Sequence, residues 1–155
     1  MKPIQFCLIP LIALLAFAAN AGNYAITSAS VLASDAGKPA DLVAGESIAA
    51  GQVVYKSTST VALLASATNS VRANAFGIAV NSASAGQPLR VISEDPSFSV
   101  GATMVTGAVL VLSATPGAIA PVSDLTNGWY PTVLGIANSG TRAAIKIVRG
   151  TSPTP

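Results

Sequence analysis

The chain has 155 residues, enough for one domain, and about half of them are apolar. Charge is scarce: Lys and Arg total 8, Asp and Glu total 6, and His is absent, for a net charge of +2. These numbers leave no basic stripe for nucleic acid, no His-based zinc, copper or haem ligand set, and no Ser-His-Asp or Cys-His catalysis.

Residues 1–21 carry the parts of an export signal. Lys2 gives a charged start, Leu8 to Ala18 an apolar run, and Ala19-Asn20-Ala21 a small-residue cleavage site. Pro3 and Pro10 interrupt the segment, and a bilayer needs about 20 apolar residues, so a spanning helix is a poor fit. Cys7, the only cysteine, follows the bulky Phe6, which excludes a lipidation site, and a single cysteine forms no internal disulfide. Two readings stay open: a signal cleaved after Ala21, which would bring the chain to a membrane during export, or an apolar arm retained in an assembly.

Residues 22–39 are small and polar, with a short strand expected at Tyr24 to Thr27 and a turn over Ser34 to Pro39. This stretch is expected to be an extended arm that reaches a neighbour, or else an ordinary loop. Strand signals then recur every 8 to 12 residues: Asp41–Ala44, Gln52–Lys56 entered through Gly51, Val61–Leu64, Phe76–Val80, Leu89–Ser93 and Phe98–Val100. Ala65 to Ala75 favours a loop. Further on come Ala108–Ser113, a turn at Pro116-Gly117, Ala118–Val122, a tight turn at Asn127-Gly128, Tyr130–Ala137 and Arg142–Arg149. The last of these sets Ile145 and Ile147 on one face, with Lys146 and Val148 on the other. Residues 151–155 form a Pro-rich tail expected to be flexible.

The chain also repeats itself. Ala44 to Ser57 (AGESIAAGQVVYKS) returns as Val100 to Ser113 (VGATMVTGAVLVLS), 56 positions on, with Gly45 and Gly51 falling on Gly101 and Gly107. Phe76-Gly77-Ile78-Ala79 matches Leu134-Gly135-Ile136-Ala137 at an offset of 58, and Leu89 to Ile92 matches Ile145 to Val148 at 56. Two copies, about 44–93 and 100–149, suit one domain with pseudo-two-fold symmetry over residues 40–150. The expected fold is all-β, a compact barrel or sandwich, preceded by the apolar segment and the arm.

Catalytic motifs are missing. No Ser lies three residues before a Lys, and no Gly-x-Ser-x-Gly elbow or phosphate-binding glycine loop occurs. The carboxylates Asp35, Asp41, Glu46, Glu94, Asp95 and Asp124 lack the aromatic platforms of a sugar-cleaving site. An enzyme, a cofactor and a bound metal are therefore not expected. The residues singled out are contact candidates instead. Trp129-Tyr130 forms the one concentrated aromatic pair, either a core plug or an interface anchor. Glu94 and Asp95, before Pro96, fit an acidic solvated turn, a cation site or a pair with an arginine of a neighbour. Arg72 and Arg142, like Arg90 and Arg149, face water or a partner.

The phrases Ala44–Lys56, Phe76–Val91, Val111–Ala137 and Ala143–Val148 together resemble a family of tailed-phage head proteins, the capsid decoration or cement proteins. The likeness spans about Asn23 to Arg149. It implies a non-enzymatic β-rich virion protein on the outer shell, a homotrimer clamping neighbouring major capsid protein subunits. It implies no direct contact with nucleic acid, and in some relatives a base for a head fibre. The apolar start departs from that pattern. It suits the alternative of an exported surface or adhesive protein.

Overall fold

The computed structural model describes residues 22–150 and 152–155; the signal-like segment, residues 1–21, lies outside the described residues. The protein is all-β. Nine strands run β1 (Lys38–Ala44), β2 (Val53–Lys56), β3 (Val61–Leu64), β4 (Ala75–Ala79), β5 (Pro88–Ser99), β6 (Val109–Leu112), β7 (Ile119–Pro121), β8 (Thr132–Ala137) and β9 (Arg142–Arg149). One sheet holds them in the order β1-β3-β2-β4-β5-β9-β8-β6-β7, and β1 also pairs with β5. That extra pairing closes β1, β3, β2, β4 and β5 into a five-stranded barrel, from which the remaining strands extend.

The duplication is written in the strand order. Outward from the β5–β9 contact, one side reads β4, β2, β3 and the other reads β8, β6, β7. The registers repeat as well: Val54 faces Gly77 and Leu110 faces Gly135, and a β-bulge follows each at Val54/Tyr55 and Leu110/Val111. A bulge bends its strand and increases local twist, so each half curls at the same point. Both glycines are required by close approach. A Cβ at Gly77 would lie 2.5 Å from the Ile92 carbonyl oxygen, and one at Gly135 would lie 2.2 Å from that of Ala144.

The third repeated block sits differently from its sequence match. Ile78 pairs with Ile92, whereas Ile136 pairs with Ala144, an offset of 52 between β5 and β9 instead of 56. The connection over residues 138–141 is shorter than that over 80–87, and the strand slides to compensate. The pseudo-two-fold therefore passes through the pair Glu94–Lys146, which is related by the same 52.

Two cores follow. Inside the barrel, Leu42, Ile48, Val54, Leu89 and Val91 pack with Ala44, Ala62, Ala79 and Ala83. Five strands enclose little volume, which accounts for alanine at so many inward positions. A larger core joins the outer face of the barrel (Val53, Tyr55, Ile78, Ile92) to the second half (Leu110, Leu112, Ile119, Leu134, Ile145), with Phe98 and Met104 between. Val53-Val54-Tyr55 are all buried because β2 has core on both faces, and so the segment is a continuous apolar run instead of an alternating one.

Residues 22–37 lie along their own chain, in contrast to the expected reaching arm. The Tyr24 N–H donates to the Ile119 carbonyl on β7 at 2.8 Å, and the Thr27 N–H donates to that of Gly101 at 2.8 Å. Leu32 exchanges two backbone hydrogen bonds with Ser99 at the end of β5. No strand is assigned over Tyr24–Thr27; the segment contains one 3-10 turn, Ser28–Ser30. It acts as a strap across the opening between β7 and β5. Val31 is its buried anchor, and Gly51 and Gly101, both at positive φ, bring the backbone close beneath Ile26 and Thr27.

Candidate contact surface

Asp95 is the first correction to the sequence reading. It is fully buried, in the middle of a twelve-residue strand, and not on a solvated turn. Pro96 cannot donate to a ladder, and the β5–β9 register breaks between Asp95 and Phe98, as a proline within a sheet requires. The break turns the Asp95 carboxylate inward onto the strap. There it accepts the Ser34 N–H at 2.7 Å, the Ser34 hydroxyl at 2.5 Å and the Ser97 N–H at 2.8 Å. It fastens the strap and is not available to a cation or a neighbour.

Glu94, on the opposite face, pairs with Lys38, and Arg90 pairs with Asp41 at 3.0 Å. The hydrogen bond and charge of each cation hold the Glu94 and Asp41 carboxyls below the usual carboxylate range. Arg142 is exposed and donates to the Ser97 carbonyl at 3.0 Å, stapling β9 to the bulge. Arg72 lies exposed in the loop between β3 and β4, with its carbonyl accepting from the Ser66 N–H. Trp129 and Tyr130 are both half-buried against the larger core. Residues 152–155 fold back on Trp129: the Thr154 N–H donates to its carbonyl at 2.7 Å, and the Thr154 hydroxyl donates to the Thr126 carbonyl at 2.5 Å.

Of the six, Trp129 lines a cleft of about 390 Å³ with Gly22 and Asp124, and Tyr130 lines one that carries more charge. A cleft of about 470 Å³ is lined by Lys56, Ser70, Val71, Asn74, Tyr130 and Arg149, among others. Several ties build it. The Tyr130 N–H donates to the Ala67 carbonyl at 2.8 Å, the buried Thr132 hydroxyl donates to that of Ala73 at 2.7 Å, and Arg149 Nε donates to that of Ala75 at 2.8 Å. These bonds hang the β3–β4 loop of the first half on the second half. Lys56 Nζ lies 3.9 Å from the centroid of the Phe76 ring, so its position is set by a cation–π contact. Two cations and a phenol with no acid in the lining suit oxygen anions, most simply a carboxylate.

The outer face of β8 and β9 carries exposed apolar residues on either side of Lys146. Val148 pairs with Val133, and Ile136 with Ala144, across β8 and β9. Ile136 is 51% and Val148 58% exposed, and Val71 on the cleft rim is 65% exposed. The alternation of β9 announced Val148; nothing in the sequence marked Lys56, and Ile136 escaped because the β8 bulge reverses its face. Among the described residues no group of three or more His, Cys, Asp and Glu is placed to hold a metal, and no helix is long and apolar enough to cross a membrane. The arrangement offers contact and charge complementarity. Comparison with protein-family models and with curated proteins gives no match.

Proposed function

We propose that this chain is a structural virion protein that binds the outside of a tailed-phage capsid and stabilises contacts between major capsid protein subunits. The observation that carries this reading is the β8–β9 face. Ile136 and Val148 lie open beside a cleft that presents Lys56 and Arg149 without an acid, on a body stiffened by barrel closure. Exposed apolar side chains set among Lys146, Lys56 and Arg149 suit a contact with a protein surface that carries acids. The phrase likeness to decoration proteins supplies the partner class, and a homotrimer over three-fold positions supplies multivalency, which strengthens weak single contacts. A head fibre would dock on the side away from the shell.

The test is co-sedimentation of the full chain with expanded shells of a major capsid protein from the same genome. Saturable binding is expected. It should weaken by at least about tenfold when Arg149→Glu and Val148→Asp are combined, since unpaired charge at a contact costs several kcal/mol. Wild-type protein left wholly in the supernatant would remove the reading. A second reading, an exported surface protein, is favoured by one observation: the small-residue sequence Ala19-Asn20-Ala21 directly precedes Gly22, where the chain is held to Asp124.

A further inference from the structure

The cleft that Tyr130 lines holds two cations, Lys56 and Arg149, and neither is in an ion pair. All six Asp and Glu of the chain lie among the described residues, and none lines the cleft. No acidic side chain of the same molecule therefore supplies the missing charge. The surface pairs Lys38–Glu94 and Arg90–Asp41 show how the fold matches its cations elsewhere.

Both cations are positioned in advance. Arg149 pairs with Thr132 across β8 and β9, and the Gly150 N–H after it donates to the Pro131 carbonyl at 2.7 Å. Arg149 Nε donates to the Ala75 carbonyl at 2.8 Å, and neither terminal guanidinium nitrogen has a partner among the described residues. Those two nitrogens form a planar fork whose spacing matches a carboxylate. Lys56 Nζ sits 3.9 Å from the Phe76 ring centroid, and a ring face attracts a cation without neutralising it. Ala73 and the exposed Val71 give the same cleft an apolar wall.

We propose that this cleft receives the side-chain carboxylate of an Asp or Glu on the partner protein, and that the bound carboxylate links the two halves of the duplication. The assignment of a protein partner rests on the contact reading above, and the carboxylate is the group which that partner brings. Covering two unpaired cations removes their water, and the loss is recovered only when an acid takes its place. One fork and one point charge suit a single carboxylate, with Val71 and Ala73 against its methylene stem. A polyanion needs a track of cations leading away, and a net charge of +2 supplies none. Lys56 comes from β2 in the first half and Arg149 from β9 in the second. A carboxylate on both adds a bridge that the free chain lacks, so binding raises the stability of the fold.

The experiment titrates the full chain, labelled with nitrogen-15, with acetyl-glutamate amide, whose only charge is a side-chain carboxylate. The Ser70, Asn74 and Tyr130 amide signals and the Arg149 Nε–H signal should shift saturably, with Kd on the order of 10 mM. Tm should rise with the same concentration dependence. Acetyl-glutamine amide, the neutral isostere, should bind at least about tenfold more weakly. Lys56→Met should weaken binding by at least about fivefold, Lys56→Arg should restore it, and Lys38→Met, outside the cleft, should leave it unchanged. Arg149→Lys keeps the charge, loses the fork and should also weaken binding, which serves where Lys56→Met disturbs the fold. No saturation by about 100 mM, or equal binding of the glutamine compound, overturns the proposed role of the cleft. Tighter binding of inorganic phosphate, or of acetyl-alanine with its terminal carboxylate, overturns the side-chain source. Co-sedimentation separates this failure from that of the virion reading. Shells that bind a chain whose cleft glutamate does not fill leave the virion reading standing; a filled cleft on a chain that ignores shells leaves only the carboxylate site.

Discussion

Replacing Gly135 by alanine places a methyl carbon 2.2 Å from the Ala144 carbonyl oxygen and 3.0 Å from both the Ala144 carbonyl carbon and Ile145 Cα. All three atoms are backbone, so no side-chain rotation relieves the overlap, and β8 must part from β9. Overpacking that side chains can absorb costs about 1–3 kcal/mol. Parting the ladder adds hydrogen bonds worth about 1 kcal/mol each, which brings the expected loss to about 3–4 kcal/mol. At about 3–5 °C per kcal/mol for a domain of this size, Tm should fall by about 10–15 °C. Trp129 is the only tryptophan and is half-buried, so urea unfolding followed by its fluorescence gives the free energy directly. The reference variant is Gly107→Ala. Its φ is +87°, nothing lies within 4 Å, and it bears only left-handed backbone strain of about 1–2 kcal/mol. The duplicated glycine tests the same logic: Gly77→Ala meets the Ile92 carbonyl oxygen at 2.5 Å and should lose a similar amount. If Gly135→Ala unfolds no earlier than Gly107→Ala, the argument from close backbone approach is wrong.

Asp95→Ala strands the Ser34 and Ser97 amides and the Ser34 hydroxyl; a loss of about 2–4 kcal/mol is expected. Amide exchange of Ser34 should quicken ahead of that of the barrel core, and uniform exchange would contradict the strap's local anchoring. Phe98→Ala empties the largest fully buried side chain and should cost about 3–5 kcal/mol by denaturant titration. Asp41 and Glu94 have lowered pKa values, so their pairs stabilise the fold above the unfolded carboxylate pKa and lose that contribution as pH falls through the folded value. Both are fully solvated surface pairs. The acid limb of the Tm–pH profile should shift only slightly in the double variant Asp41→Asn, Glu94→Gln, and the shift should vanish in high salt. A shift that survives salt would point to groups elsewhere.

The strand positions were largely legible because apolar runs and turn residues act locally. Val61–Leu64 and Arg142–Arg149 begin and end where the sequence places them, and Gly51, Gly117 and Gly128 take the positive φ that their turns require. What failed depended on partners far along the chain. Leu89–Ser93 and Phe98–Val100 are one strand, because a proline at a bulge need not end pairing, and the polar Glu94-Asp95 step is matched by Lys38 and Ser34. The strap was misread for a similar reason. Its small polar residues look like linker until Ser99, Gly101 and Ile119 supply backbone partners. The site suffered most. Lys56 and Arg149 come from opposite halves of the duplication, and only the closed fold brings them to one cleft.

Gly22 binds Asp124 and Thr154 binds Thr126 and Trp129, so both ends of the described domain are moored to one short surface loop. The domain thus has a single departure point for whatever is attached to it. Joining Pro155 to Gly22 through a brief flexible linker should yield a circular permutant that can be opened anew at the exposed loop around Ser57 to Thr60. Cargo fused at Gly22 or at Pro155 would emerge beside the same loop, a practical handle for displaying peptides or dyes from a known position.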